Sequence, residues 1–199
     1  MDLYLNNQVI ILTEGEKNLT DNIIQILSGE GAIAVLLGKD ESLHRHRQYE
    51  NTDLSKKTIN EVILKYGRID GLVNLPAVHS KYKQEEESEE DFLKVLQENL
   101  SNYFTITHNS LPYLKTSGGA VINISFEPEE FGQNSSSTYA TNGGIIALTR
   151  EWAVELLKYN IRVNSIINKV NTPEIGNIVA FLLSEKSSHT TGQVIRADK

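Results

Sequence analysis

Side chains able to do chemistry are sparse in this chain, and their types and spacing exclude several chemistries. The 199 residues contain no cysteine, which rules out a thiolate nucleophile, a disulfide framework and a Cys-type zinc site. The densest group of carboxylates, Glu85-Glu86-Glu87-Ser88-Glu89-Glu90-Asp91, is contiguous. Contiguous glutamates do not converge on one ion, so the run is expected to be a solvated loop whose charges complement the start of the following helix, and no metal site is expected. Basic and imidazole groups gather at His44-Arg45-His46-Arg47, and a lone His79 stands further on. A tyrosine could act as general acid/base, but its hydroxyl titrates at about pH 10 and needs a neighbouring cation to work at neutral pH.

The elements that must position such groups are legible. With 39% hydrophobic residues the chain can bury one sizeable core, and a single domain over 1–199 is expected. Nineteen Lys and Arg against 26 Asp and Glu leave a net charge of −7, which argues against nucleic acid or an anionic membrane as partner. The start, Met1-Asp2-Leu3-Tyr4-Leu5-Asn6, lacks a basic leader, and no window nears the ~18 apolar residues that span a bilayer. A cytoplasmic location is expected.

Apolar runs at Val9 to Leu12, Ala32 to Leu37, Ile69 to Asn74, Ala120 to Ser125, Ile161 to Ile167 and Gln193 to Arg196 read as strands. Helical spacing marks Asp21 to Leu27, Thr58 to Tyr66, Asp91 to Leu111 before Pro112, Tyr139 to Tyr159, and Glu174 to Ser184. Regular alternation of this kind predicts an α/β fold: a Rossmann-like, doubly wound parallel β-sheet of about seven strands with helices on both faces.

Several stretches, in order, resemble the landmarks of short-chain dehydrogenases/reductases. They include Gly67-Arg68-Ile69-Asp70-Gly71-Leu72-Val73-Asn74, Asn99-Leu100, Val121-Ile122-Asn123-Ile124-Ser125, Leu148-Thr149-Arg150, Ile161-Arg162-Val163-Asn164 and Thr191-Gly192-Gln193-Val194. Finer matches, among them Leu111-Pro112-Tyr113-Leu114-Lys115, Gly132-Gln133 and Thr149-Arg150-Glu151-Trp152, are similar to the L-fucose dehydrogenase branch. The resemblance covers the whole chain.

In that family a glycine-rich turn after the first strand cradles the dinucleotide's pyrophosphate, because only glycine lets the backbone approach it. Here the turn reads Thr13-Glu14-Gly15-Glu16-Lys17-Asn18-Leu19-Thr20, with Glu14, Asn18 and Thr20 on the three glycine positions. Bulk and negative charge both oppose a phosphate. The resemblance leaves Thr13, Gly15, Lys39, Asp53, Leu54 and Asn74 as the remaining cofactor-binding positions. Lys39 would favour NADP over NAD if either binds, and no cofactor is the first expectation. The family's N-N-A-G strand end has become Asn74-Leu75-Pro76-Ala77, and Pro76 deletes a backbone donor.

The resemblance implies a catalytic Tyr, a Lys four residues later, a Ser and an Asn. Tyr139, Ser125 and Asn99 are the candidates for three of them. Position 143, where the Lys belongs, is Gly. A second register, ungapped backwards from Arg150, instead puts Thr138 on the Tyr position and Asn142 on the Lys position. Lysine is lost in both. Phe126 stands where the family's catalytic serine usually falls, and Asn99 fits a structural role where the helix kinks equally well. Thr172-Pro173-Glu174 runs almost directly into Ile175-Gly176-Asn177-Ile178, two stretches that the family separates with a substrate lid.

The first expectation is therefore a non-catalytic structural or regulatory member of this oxidoreductase lineage. By the resemblance it would form a homodimer, or a hetero-oligomer with an active paralogue, through helices 91–111 and 139–159. The alternative is an active NAD(P)-dependent sugar or alcohol oxidoreductase using Tyr139. A third reading is a binding module for another small ligand in the crevice beside His79.

Overall fold

The computed structural model describes residues 2–38, 48–49, 56–77, 84–126, 135–168 and 175–197. Their strands form one seven-stranded parallel sheet in the order β3-β2-β1-β4-β5-β6-β7. The strands are β1 (Val9–Thr13), β2 (Ile33–Leu37), β3 (Gln48–Tyr49), β4 (Gly71–Asn74), β5 (Ala120–Phe126), β6 (Arg162–Asn168) and β7 (Val194–Ala197). Six coincide with the apolar runs. The seventh, β3, is two residues long and too short to carry a periodic signal of its own.

Helices α1 (Lys17–Gly29) and α6 (Ile175–Leu183) cover one face; α2 (Lys56–Tyr66), α4 (Asn102–Ser117) and α5 (Ser136–Glu155) cover the other. Successive strand residues point to opposite faces, so Ile10 and Leu12 pack under α1 and α6 with Ile23, Leu27 and Val179, while Val9 and Ile11 join Ile59, Ile106 and Trp152. Trp152 is 8% exposed and serves as a packing anchor.

Helix α3 (Glu89–Val95) starts at Ser88, whose hydroxyl accepts from Asp91 N while the Asp91 carboxylate accepts from Ser88 N, a reciprocal capping box. It runs into a π-turn at Leu96–Ser101 and then into α4, so the helix expected over 91–111 carries one wide turn. The expected stop before Pro112 is corrected: α4 continues through Pro112 to Ser117 and ends on Gly118 in the left-handed region (φ 67°). The missing Pro112 donor is outweighed downstream, where Leu114 is fully buried and Ser117 Oγ donates to Ile69 O at 2.7 Å.

The strand order reverses between β1 and β4, which places the candidate site outside their carboxyl ends.

Candidate active site

Two turns meet at that reversal. Thr13, the last residue of β1, accepts from Leu75 N at 2.7 Å and donates to Leu75 O at 3.3 Å, stapling the two strand ends together. Gly15 lies against the same loop: a Cβ there would come within 2.6 Å of Leu75 Cβ. Thr13 and Gly15 are thus used in closing the β1 turn onto the β4 turn. Glu14 folds over the end of β2, where a Cβ on Gly38 would sit 2.6 Å from its carboxylate. Thr20 is wholly buried, and Asn18 is exposed. Helix α1 has no side-chain hydrogen bond capping its N-terminus.

Asn74, at the end of β4, is fully buried, and its amide donates to Asn123 Oδ1 at 2.8 Å and to Thr107 Oγ1 at 3.2 Å. Asn123 sits in register beside it on β5 and donates to Thr149 Oγ1 at 2.9 Å. This chain of amides and hydroxyls ties the sheet to α4 and α5 beneath the site. Asn74 thus lies in the core with its amide nitrogen engaged there. Lys39, Asp53, Leu54, the His44–Arg47 cluster and His79 lie outside the described residues.

Beyond the carboxyl end of β5 a small crevice opens. Its floor holds Asn99 from the π-turn and Ser125 from β5; Pro76 and Phe126 cover it, and α5 closes the side with Thr138, Thr141, Asn142 and Ile145. Its cavity volume is about 10 Å³. Asn99 is buried, and its Oδ1 accepts from Ala77 N at 2.9 Å, bracing the β4 turn from the kinked part of the helix. Ser125 and Thr141 are 1% and 4% exposed, and neither hydroxyl has a hydrogen-bond partner among the described residues.

Residues 138, 141, 142 and 145 follow helical spacing, so they share one face of α5. Tyr139, rotated by about 100° from Thr138, belongs to a neighbouring face and is absent from the crevice lining. Of the three catalytic candidates, Ser125 and Asn99 line the crevice together, and Tyr139 is not among its lining residues. Thr138 and Asn142, the positions of the second register, line it one turn apart. Asn142 Nδ2 donates to Phe126 O at 2.5 Å. No Lys, Arg or His lines the crevice among the described residues.

The start of α5 is held from outside. Ser135 caps it, its Oγ lying 2.9 Å from Thr138 Oγ1, and the Glu87 carboxylate accepts from both the backbone N–H and the hydroxyl of Ser137. The acidic run is thus more than a solvated loop: Glu87 complements the positive end of the helix that walls the crevice. Glu87 was not readable as a site residue, because the contact spans 50 positions. Tyr103, also unsignalled, is buried under β5 and donates to Ile124 O at 2.6 Å. Burial pushes its phenol well above the usual range, so it stays protonated.

On another face of α5 lies a larger feature. Leu100, Phe104, Gly144, Ala147 and Leu148 line an open apolar groove of about 620 Å³ between α4 and α5, with Glu151 at its edge. Phe104 is 52% exposed beside it. Among the described residues, no helix is long and apolar enough to cross a membrane, and no group of three His, Cys, Asp or Glu side chains could hold a metal ion.

Comparison with known proteins gives a consistent outcome. Residues 48–173 match the family model described as Enoyl-(Acyl carrier protein) reductase. The chain is 31% identical to 3-oxoacyl-(acyl-carrier-protein) reductase FabG of Thermotoga maritima over 73% of this chain and 71% of that protein. It is 32% identical to L-fucose dehydrogenase of Bos taurus over 80% of this chain, and the match spans 64% of the bovine protein's length. Among solved structures, Cj0485 dehydrogenase superposes with a TM-score of 0.88 at 29% identity, covering 100% of this chain and 95% of that one.

Proposed function

Because this chain belongs to the short-chain dehydrogenase/reductase family, we propose that it is a member that keeps the scaffold without the redox chemistry, acting as a structural or regulatory subunit. One observation carries the reading: the α5 face turned to the crevice presents Thr138 and Asn142, with no cation beside them among the described residues. Proton transfer at neutral pH needs an acid/base with a pKa near the working pH. An alcohol hydroxyl with a neutral amide for a neighbour supplies no such group.

The turn after β1 does not fit a dinucleotide. Phosphate binding there requires bare backbone donors and no opposing charge. Glu14 places a carboxylate at the end of β2, and the buried side chain of Thr20 fills a position where the family has glycine. No step is therefore assigned to a cofactor. The lid reading rests on residues 172–174, which lie outside the described residues.

A scaffold acts through its surface, and the apolar groove between α4 and α5 is the surface that supports association. The partner in this reading is a second copy of the chain or an active relative with the same helices.

The deciding experiment is a thermal-shift titration with NAD, NADH, NADP and NADPH. A ligand at a hundred times its Kd, binding only the native state, stabilises it by about 2.7 kcal/mol. No shift at millimolar nucleotide is expected. A clear shift with any of the four overturns the proposal and restores the sugar or alcohol oxidoreductase reading, which would then require Tyr139 to turn into the crevice.

A further inference from the structure

Ser125 and Thr141 pose a problem that the scaffold reading does not touch. Both are more than nine-tenths buried, both line the same crevice, and neither hydroxyl has a partner among the described residues. Desolvating a hydroxyl without replacing its hydrogen bond is costly, and two such groups lining one crevice call for a shared explanation. They sit on different elements, Ser125 at the end of β5 and Thr141 on α5, so one small acceptor and donor between them could serve both. The cavity at that point measures about 10 Å³, roughly what is needed to hold one water molecule.

We propose that the crevice is a binding site for a single ordered water, held by Ser125 Oγ and Thr141 Oγ1. Each hydroxyl can donate one bond and accept others, so water placed between them obtains two partners directly. Thr138 and Asn142 stand at the same walls and offer further oxygen acceptors. Pro76, Phe126 and Ile145 supply apolar cover that slows its exchange with bulk solvent. Ser125 in this account neither polarises a substrate nor awaits one. Its hydroxyl anchors solvent that completes the hydrogen bonding of the wall between β5 and α5.

The test is a crystal structure of the full chain at a resolution that shows ordered solvent, together with the variants Ser125→Ala, Thr141→Val and the double variant. The expected result is one density peak within about 2.7 to 3.2 Å of both hydroxyls. The double variant should lose no more thermal stability than the worse single variant, because either change alone releases the shared water. Three results would overturn the inference: clear density for the crevice with no peak, a direct Ser125–Thr141 bond, or a group larger than water. Additive losses in the variant cycle would also overturn it. Should a variant fail to fold, the wild-type density decides alone. A nucleotide-induced thermal shift would remove the scaffold reading and leave this solvent peak where it is, so the two can fail separately.

Discussion

Helix α5 presents two unlike faces. One, carrying Thr138, Thr141 and Asn142, lines a crevice of about 10 Å³ at the carboxyl edge of the sheet; another, carrying Gly144, Ala147 and Leu148, lines an open apolar groove of about 620 Å³ with α4. The same 20-residue helix therefore lines both features. Small residues on one face and short polar ones on another are compatible with a single helix because the faces are separated by rotation alone. Changes on the crevice face need not disturb the groove.

The largest effect expected is on the groove. In the association reading, Ala147→Asp buries an unpaired carboxylate at a helix contact, costing roughly 3 kcal/mol or more, so dimer dissociation should strengthen about a hundredfold. Sedimentation velocity measures this, and Val154→Asp, at a position 78% exposed and outside the groove, is the control. An unchanged mass for Ala147→Asp at micromolar protein would break the comparison, leaving the groove without a role in assembly.

Next in size is the polar layer beneath the crevice. Asn123→Ala removes the amide that joins Asn74 to Thr149, leaving buried groups short of partners at a cost of about 2 to 4 kcal/mol. Urea denaturation should show it in the midpoint with an unchanged slope. A loss under half a kcal/mol would mean the layer is dispensable.

Tyr103 sharpens the comparison with pH. Its folded-state pKa is raised by burial, so the folded protein holds the proton more tightly than the unfolded chain. That contribution is fully present below the unfolded value of about 10 and is lost as pH climbs above it. Stability should fall through the alkaline range, and Tyr103→Phe should flatten that fall while costing about 1 kcal/mol at neutral pH from the lost bond to Ile124 O. Identical alkaline profiles for the two proteins would exclude Tyr103 as the titrating group.

The smallest effect belongs to Glu87. Glu87→Gln keeps the shape at the start of α5 but removes the charge, and a loss of about 0.5 to 1 kcal/mol, shrinking in high salt, is expected. A salt-independent loss would assign the effect to hydrogen bonding alone.

Much of this architecture can be read along the chain. Six apolar runs became six strands, and helical spacing located α1, α2 and α6, because burial on both faces of a parallel sheet leaves a continuous local signature. The π-turn at Leu96–Ser101 and the passage of α4 through Pro112 were hidden, since both depend on what the helix packs against. Site legibility was mixed. Asn99 bracing the β4 turn agrees with its structural reading, whereas the crevice lining holds Thr138 and Asn142 and not Tyr139.

The amino-acid order by itself determined the alternating α/β plan, the family membership and the presence of Asn142 and Gly143, neither of them a lysine, one turn beyond Thr138 and Tyr139. Those are properties of residue type and spacing. Which of two adjacent residues faces the crevice was decided only by the tertiary structure. A helix turns about 100° per residue, and the angle at which α5 docks on the sheet is set by contacts from distant strands, not by residues 138 and 139 themselves. The same holds for Glu87 at the start of α5 and for the paired hydroxyls of Ser125 and Thr141. Each joins elements that only the folded sheet brings together.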